Sequence, residues 1–231
     1  MRKVFHILVL CAFPSLSLVA QSRQALRDSL AKATDVLAYH PDSIDLRLKK
    51  TAWNIQLEQW NYAKDDLDKV LFSEPTNIAG LYYRAFVNEK LGRLNFARLD
   101  YERLLMLVPG NFEGQLGLAL LNQKAKHYTE AMDRMNSLVS QYPDSAVAYA
   151  ARGGMEKERG MLELAIYDFS EALRRDPSNT DYLLNRADLL ITAKRTDAAL
   201  QDLNRLTALG INRNALKELF KRIKKGKKIK K

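Results

Sequence analysis

The sequence predicts an all-α protein built from repeated pairs of helices, and two features that share one period predict it. Five of the six prolines recur every 34 residues, and five alanines recur at the same interval in a fixed register with them. The prolines are Pro41, Pro75, Pro109, Pro143 and Pro177, and the alanines are Ala63, Ala97, Ala131, Ala165 and Ala199. A shared period of this length indicates stacked structural repeats.

Each 34-residue unit contains two short amphipathic segments. The first segment carries a small residue at its eighth place, and the second carries the repeated alanine about twelve residues later. Larger apolar residues follow the alanine by four and seven places, as Tyr101 and Leu104 follow Ala97. That spacing marks one face of a helix. We therefore expect first helices near 44–57, 78–91, 112–125, 146–159 and 180–193.

The prolines are expected to end each second helix, because a proline ring does not continue a helix. The turn sequences YHPDS, SEPTN, VPGN, YPDS and DPSN supply the Asn, Asp, Ser and Gly residues that turns and helix N-caps favour. The units accordingly run over 44–77, 78–111, 112–145, 146–179 and a less regular 180–213.

Over residues 44–213 the sequence resembles the tetratricopeptide repeat. The resemblance lies in a small residue, an alanine, an aromatic or aliphatic residue and a proline that recur at this period. Residues 146–179 resemble it most closely. The matching residues there are Tyr149, Gly153, Gly160, Ala165, Phe169, Ala172 and Pro177. The resemblance implies a right-handed α-solenoid of helix-turn-helix repeats whose first helices line an inner, protein-binding surface.

The two ends of the array depart from the repeat pattern. Residues 22–43 resemble the second helix and turn of a repeat that has no first helix, and Ile211 stands where a proline is expected. Residues 213–224 are expected to form one further, capping helix. Terminal elements of a solenoid are atypical because they cover an exposed core face. We predict one solenoid domain over residues 21–216 and a basic tail over 217–231.

The first twenty residues predict a secretory signal peptide. Arg2 and Lys3 precede a mostly apolar run over 4–13, and small residues follow up to residue 20. The apolar run is too short to span a membrane comfortably. Cleavage is expected after Ser17 or after Ala20. We expect an exported protein, located in the periplasm of a cell with two membranes or, alternatively, secreted.

Cys11 is the only cysteine and lies inside the apolar run of the predicted signal peptide. We interpret it as a signal residue that is discarded on cleavage. The alternative is a lipid-modified cysteine that tethers the protein to a membrane. If Cys11 is discarded, the mature protein has no thiol for disulfides, catalysis or metal binding.

The net charge of +10 is concentrated at the C-terminus. Residues 217–231 contain nine Lys or Arg residues and one Glu, whereas residues 21–216 are close to neutral. A basic block is typical of a tail that binds an acidic surface. The predicted anionic-surface residues are Lys221, Arg222, Lys224, Lys225, Lys227 and Lys228. Nucleic acid is not the expected ligand, because no aromatic residue follows Phe220. The alternative is a solvated, disordered end without a ligand.

A charge correlation links the two helices of four repeats. Where the seventh place of the first helix is basic, the residue three after the repeated alanine is Asp. The pairs are Lys50 with Asp66, Arg84 with Asp100, Arg152 with Asp168 and Arg186 with Asp202. Repeat three breaks both positions together, with Leu118 and Arg134. We favour ion pairing between packed helices; the alternative is a charge ladder that binds a ligand.

The sequence contains no motif that indicates catalysis. H-E-x-x-H, G-x-x-x-x-G-K-[ST] and G-x-G-x-x-G are all absent. His40 and His127 fall in turns of different repeats, without a partner at ligand spacing. We expect no enzymatic activity, no metal and no cofactor.

The resemblance places the partner-binding groove on the first helices, where the fifth and ninth places of each helix line the inner surface. These places are mostly apolar here. The Lys and Asn set with which some relatives grip an acidic peptide C-terminus is absent. The predicted groove residues are Leu48, Tyr82, Tyr83, Phe86, Leu116 and Leu120. Aromatic residues commonly dominate interface energy. The alternative is that these residues only pack neighbouring first helices together.

These features predict a scaffold or adaptor of the cell envelope that holds a peptide segment or another protein. The alternative is a peripheral membrane or cell-wall factor that attaches through the basic tail and uses the solenoid as a spacer.

Overall fold

A computed structural model describes the backbone of residues 16–228 and the side chains of residues 22–224. Within residues 16–228 it contains twelve α-helices and no β-strand, which confirms the predicted all-α class. Most of the predicted signal peptide, including Cys11, and residues 229–231 lie outside the described residues.

The helices alternate between first and second members of each repeat. After α1 (Leu16–Tyr39), the first helices are α2 (Ile44–Gln56), α4 (Ile78–Lys90), α6 (Phe112–Lys124), α8 (Ala146–Glu158) and α10 (Thr180–Thr192). The second helices are α3 (Trp60–Ser73), α5 (Leu94–Leu107), α7 (Tyr128–Gln141), α9 (Leu162–Arg175) and α11 (Thr196–Ala208). Every first helix begins at the predicted residue and ends within one residue of the prediction.

The first and last helices begin at residues other than those predicted. Helix α1 begins at Leu16, so its backbone includes the last residues of the predicted signal peptide. The capping helix α12 (Lys217–Lys228) begins four residues later than predicted. Residues 213–216 form turns instead, because the Asn212 side chain accepts a hydrogen bond from the Asn214 backbone at 2.8 Å. Such a local side-chain bond competes with helix formation.

Repeated residues fix both ends of the first helices. Asn77, Asn111, Ser145 and Asn179 cap the N-termini of α4, α6, α8 and α10 by accepting backbone hydrogen bonds. Two residues after each first helix, the backbone has a positive φ. The five positions are Glu58, Gly92, Lys126, Gly160 and Lys194, with φ between 58° and 73°. Only two of them are glycine, the residue that this conformation favours.

The described chain forms two compact units, which divide within α7. The N-terminal unit contains residues 16–134, and the C-terminal unit contains residues 135–228. In the N-terminal unit, the repeated alanines Ala63 and Ala97 are fully buried. Around Ala97 lie Tyr101 of α5 and Leu118 and Leu121 of α6, which are buried as well. The small residues thus allow close helix approach while large neighbours fill the core.

The core of the C-terminal unit extends from α9 to the capping helix. Phe169 and Leu203 lie in the same buried cluster as Leu216 and Ile223, and the last of these belongs to α12. The half-buried Leu219 and Phe220 pack against the same cluster. Helix α12 therefore covers the end of this core with its apolar face.

Buried aspartates on the second helices pair with basic residues on the first helices, as the sequence predicts. The four pairs are Lys50–Asp66, Arg84–Asp100, Arg152–Asp168 and Arg186–Asp202. Arg152, for example, donates two hydrogen bonds to Asp168 at 2.6 and 2.8 Å. All four aspartates are at most 5% exposed. The interpretation as ion pairing between packed helices is confirmed.

The same arginines also reach the second helix of the preceding repeat. Arg84 donates to Asp68 at 3.0 Å, and Arg186 donates to Ser170 at 3.1 Å. Each guanidinium therefore joins three helices, which suits its forked set of donors. In repeat three, Leu118 is buried in an apolar cluster and Arg134 is exposed. Apolar packing replaces the ion pair there, an exchange that is often energetically neutral.

Candidate interaction surface

The predicted groove residues lie on the first helices of the N-terminal unit. The structure places all six of them in a half-buried state: Leu48, Tyr82, Tyr83, Phe86, Leu116 and Leu120. Each side chain thus has one part in the helix packing and one part open to solvent. This exposure is compatible with a binding surface and also with packing between neighbouring first helices.

An aromatic cluster occupies the centre of this surface. The Tyr82 ring lies 5.6 Å from Tyr83 and 6.3 Å from the buried Tyr101, measured between ring centroids. Phe86 makes an edge contact with Trp60 at 6.1 Å. Such aromatic pairs stabilise a cluster beyond the area they bury. The cluster therefore offers a rigid apolar platform that does not need to be ordered on binding.

Leu48 connects this cluster to the first helix of the preceding repeat. Leu48, Tyr83 and Phe86 all pack against the buried cluster that contains Leu67 and Val87. The aromatic rings are thus partly structural, and their truncation will cost some stability. A test that removes both Tyr82 and Phe86 therefore needs a stability-matched control.

Basic residues near this surface are engaged in contacts of their own. Lys90 lies over the Phe86 ring at 5.0 Å, and Lys124 donates to the carboxylate of Glu89 at 3.2 Å. Burial raises the pKa of the Tyr82 hydroxyl, an effect that Glu113 and Tyr83 reinforce. Tyr82 therefore stays a neutral hydroxyl that can donate a hydrogen bond to a ligand. The surface is apolar at its centre, with the charged residues Lys90 and Lys124 at its edge.

The predicted anionic-surface residues lie on the capping helix α12. Lys221 and Lys224 are exposed, as is Lys217 on the same helix. Arg222 has a different environment, because it donates hydrogen bonds to Asp188 and Thr192 of α10. The backbone helix continues through the positions of Lys225, Lys227 and Lys228. The described part of the tail is thus a docked helix whose exposed residues are cationic, apart from Glu218.

A second groove lies on α3 and α5, on residues that the sequence prediction did not include. Phe96, Leu99, Arg103 and Met106 line it from α5. These four residues follow an i, i+3, i+7, i+10 spacing, which marks one helix face. The spacing is visible in the sequence, but the clearer pattern of Ala97, Tyr101 and Leu104 marks only the buried face of the same helix.

The described residues contain neither a metal-ligand cluster nor a membrane-spanning helix. Among the side chains of residues 22–224, no three His, Cys, Asp or Glu gather as metal ligands. None of the described helices combines the length and the apolar character needed to cross a membrane.

Several solved structures share this fold. A tetratricopeptide repeat protein from Parabacteroides merdae has a TM-score of 0.73 at 21% identity, covering 90% of this chain and 81% of that protein. A thermophilic tetratricopeptide-repeat protein of Thermus thermophilus has a TM-score of 0.62 at 17% identity, covering 80% and 98%. YrrB, a tetratricopeptide-repeat protein with an unusual peptide-binding site, has a TM-score of 0.52 at 16% identity, covering 77% and 92%. No protein-family model and no curated protein sequence matches the chain.

Proposed function

We propose that this chain, whose fold is that of tetratricopeptide-repeat proteins, is an interaction scaffold or adaptor that holds a peptide segment or partner protein. The observation that carries the proposal is the aromatic platform of Tyr82, Tyr83 and Phe86, which is half-buried and continuous with Leu48. YrrB, with its unusual peptide-binding site, shares the fold. A fold of this kind is typically a non-enzymatic scaffold, and function depends on the residues presented on it.

The proposed partner segment is apolar and either extended or helical. Leu116 and Leu120 of α6 extend the platform beyond the tyrosines along the next first helix. Large apolar anchors in the segment would replace water against these side chains, which is the main source of interface free energy. The charged start and the apolar run over residues 4–13 support the proposal of an exported protein that acts in the cell envelope.

The first prediction concerns the platform. The double change Tyr82→Ala and Phe86→Ala is expected to weaken binding of the partner segment at least 30-fold, because each ring is expected to contribute about 1 kcal/mol or more as a hot spot. Photo-crosslinking from position 83 in intact cells identifies the segment, with position 76 in an exposed turn as the negative position. Isothermal titration with the purified segment then measures the affinity.

The control for this experiment is Leu94→Ala. Leu94 packs on the same core as Tyr82 but belongs to a second helix, so its truncation removes stability without touching the platform. Leu94→Ala is expected to lower the melting temperature and leave the affinity unchanged. The proposal is wrong if the double variant binds normally, or if Leu94→Ala weakens binding as strongly as the double change does.

A second candidate function is attachment to an anionic surface through α12. The docked state of α12 favours it, because burial of Leu216 and Ile223 orients the helix with Lys217, Lys221 and Lys224 toward solvent. A fixed array of positive charges attracts anionic lipid, with roughly 1 kcal/mol for each basic residue near the membrane. In this function the repeats act as a spacer.

The second prediction tests this attachment. Changing Lys221, Lys224, Lys225, Lys227 and Lys228 to Gln is expected to weaken binding to phosphatidylglycerol vesicles by roughly 1,000-fold or more, because each of the five charges contributes about 1 kcal/mol. Binding of the unmodified protein should weaken steeply as salt screens the charges. Vesicle co-sedimentation at several salt concentrations measures both effects.

Truncation of the tail is a poorer test, because it removes Ile223 from the core and Arg222 from Asp188. Arg222→Gln serves as the matched control: it should reduce stability, since Asp188 loses a partner, and change vesicle binding only slightly. Salt-insensitive binding, or equal binding by the five-residue variant, contradicts attachment through the tail.

A further inference from the structure

Five large apolar side chains on the second helices of the N-terminal unit are strongly exposed. They are Tyr62 and Phe72 of α3, at 66% and 88%, and Phe96, Leu99 and Met106 of α5, at 62%, 60% and 82%. Single exposed apolar residues are ordinary on a protein surface, but a group of them indicates a contact surface. None of the five belongs to the first-helix platform of the proposed function.

Three of these residues form one wall of a groove of about 840 Å³. Phe96, Leu99 and Met106 follow one face of α5, and Lys64 and Asp68 of α3 line the groove as well. The eleven residues from Phe96 to Met106 span about 15 Å along the helix. This length matches an approximately three-turn helical segment lying in the groove.

The charges on the groove floor are already compensated within the chain. Arg84 donates to both Asp68 and Asp100, and Lys64 pairs with Asp68. Hydrogen bonds from Arg84 to Asp100 and Asp68 raise the pKa of the guanidinium, so it stays charged. A charged group of a ligand would therefore have to displace these internal pairs. The floor contributes to the shape of the groove more than to the binding free energy.

The rim of the groove carries a surplus of positive charge. Arg93 and Arg103 line the groove and are exposed, and neither forms an ion pair among the described residues. Glu102 is the remaining charged residue of the lining. Arg93 stands at the start of α5 and Arg103 in its second half, so the two cations flank Leu99 along the groove. Guanidinium groups in this position are suited to carboxylates.

We propose that this groove binds an acidic amphipathic helix of another protein. Apolar side chains of that helix pack on Phe96, Leu99 and Met106, and its carboxylates meet Arg93 and Arg103. A second copy of this chain is a poorer occupant, because a two-fold contact brings the same positive rim against itself. The chain then has two binding surfaces, the first-helix platform and this groove.

The test uses a labelled helical peptide of 14 residues, with Leu at positions 1, 4, 8 and 11 and mostly Glu elsewhere. Fluorescence anisotropy should detect binding that weakens with salt, and a peptide with Lys in place of Glu should bind at least 10-fold more weakly. The triple change Phe96→Ser, Leu99→Ser and Met106→Ser should reduce binding of the acidic peptide at least 10-fold. The three positions are exposed, so the variant is expected to keep its fold, and circular dichroism checks this.

Charge reversal gives a second, independent readout. Arg93→Glu with Arg103→Glu should invert the preference, so that the Lys peptide binds better than the Glu peptide. The matched control is Leu164→Ser with Tyr167→Ser, two exposed positions of α9 that correspond to Phe96 and Leu99 in register. This control should bind the acidic peptide normally.

Three results would overturn the proposal: no binding of the acidic peptide, equal binding of both peptides, or an equal loss in the α9 control. A concentration-dependent dimer in sedimentation equilibrium that the triple change abolishes would instead assign the groove to a second copy of the chain. The platform is tested separately, with the variant Tyr82→Ala and Phe86→Ala, which leaves this groove intact. A negative result for the groove therefore does not contradict the proposed function.

Discussion

Replacing Gly117 by alanine is expected to destabilise the N-terminal unit by about 2 kcal/mol, although the same change usually stabilises a helix interior. A methyl group at this position would lie 2.5 Å from Cζ and 2.6 Å from Cε1 of Tyr101. Tyr101 is 2% exposed and lies beside Tyr82, so its ring cannot move without displacing other core residues. Urea unfolding measures the change.

A double-mutant cycle identifies the cause of this loss. In a Tyr101→Leu background the ring is gone, so Gly117→Ala should become neutral or stabilising by up to about 1 kcal/mol. Gly154 provides the matched control, because a methyl group there would meet nothing within 4 Å. Gly154→Ala should therefore stabilise the protein. If Gly117→Ala costs the same in both backgrounds, close approach to Tyr101 is not the reason for the glycine.

The stability of the protein is expected to fall as the pH rises from about 4.5 to about 8, through the ionisation of Glu156. Burial raises the pKa of the Glu156 carboxyl to about 7, and the neighbouring Asp168 carboxylate contributes to the rise while Arg152 opposes it. The preceding repeats carry Asn54, Asn88 and Asn122 at the same place. A protonated Glu156 can donate a hydrogen bond to Asp168, as Asn88 donates to Asp100 at 3.4 Å.

The direction of this pH effect follows from proton binding. The unfolded chain releases the Glu156 proton near its ordinary pKa, whereas the folded protein holds it to about pH 7. Between these values the folded state binds more protons, so the free energy of unfolding decreases as the pH rises. The stabilisation is fully present below the unfolded pKa. It is lost as the pH passes the folded pKa, by about 2–3 kcal/mol in total.

Glu156→Gln tests this prediction, because glutamine keeps a neutral hydrogen-bond donor at every pH. The variant should match the unmodified protein near pH 4.5 and exceed its stability by about 2–3 kcal/mol at pH 8. Glu158→Gln changes an exposed carboxylate on the same helix and should leave the pH dependence as it is. Urea unfolding at intervals from pH 4.5 to 8 measures all three proteins. A Glu156→Gln variant with an unchanged slope would contradict the assignment.

The repeat period predicted most of the fold because the same physical constraint acts in every unit. A buried alanine, a capping Asn or Ser and a helix-ending proline recur at fixed places, so each first helix could be located from five independent examples. The four buried ion pairs were predictable for the same reason. Leu118 and Arg134 made the pattern clearer, since both members changed together.

Features that occur once were harder to predict. The contact of Arg222 with Asp188 joins the tail to a first helix 34 residues earlier. The equivalent positions of the other repeats do not carry an Arg and an Asp, so the repeat pattern could not reveal this pair. The sequence of the tail was therefore interpreted as a run of charge, although Leu219, Phe220 and Ile223 mark its apolar face. Similarly, Glu156 stands where the preceding repeats have asparagine. Its raised pKa depends on burial beside Asp168, which the spacing of residues in the sequence does not reveal.

The positive-φ residue after each first helix has a consequence for engineering the protein. Glu58, Lys126 and Lys194 adopt the same backbone conformation as Gly92 and Gly160, so the geometry of the repeat, and not the local residue, imposes it. These three positions are consequently places where the chain tolerates an unfavourable residue. These three residues can be substituted to raise the thermal stability of the scaffold without changing either proposed binding surface. None of them lies on the first-helix platform or in the groove on α3 and α5.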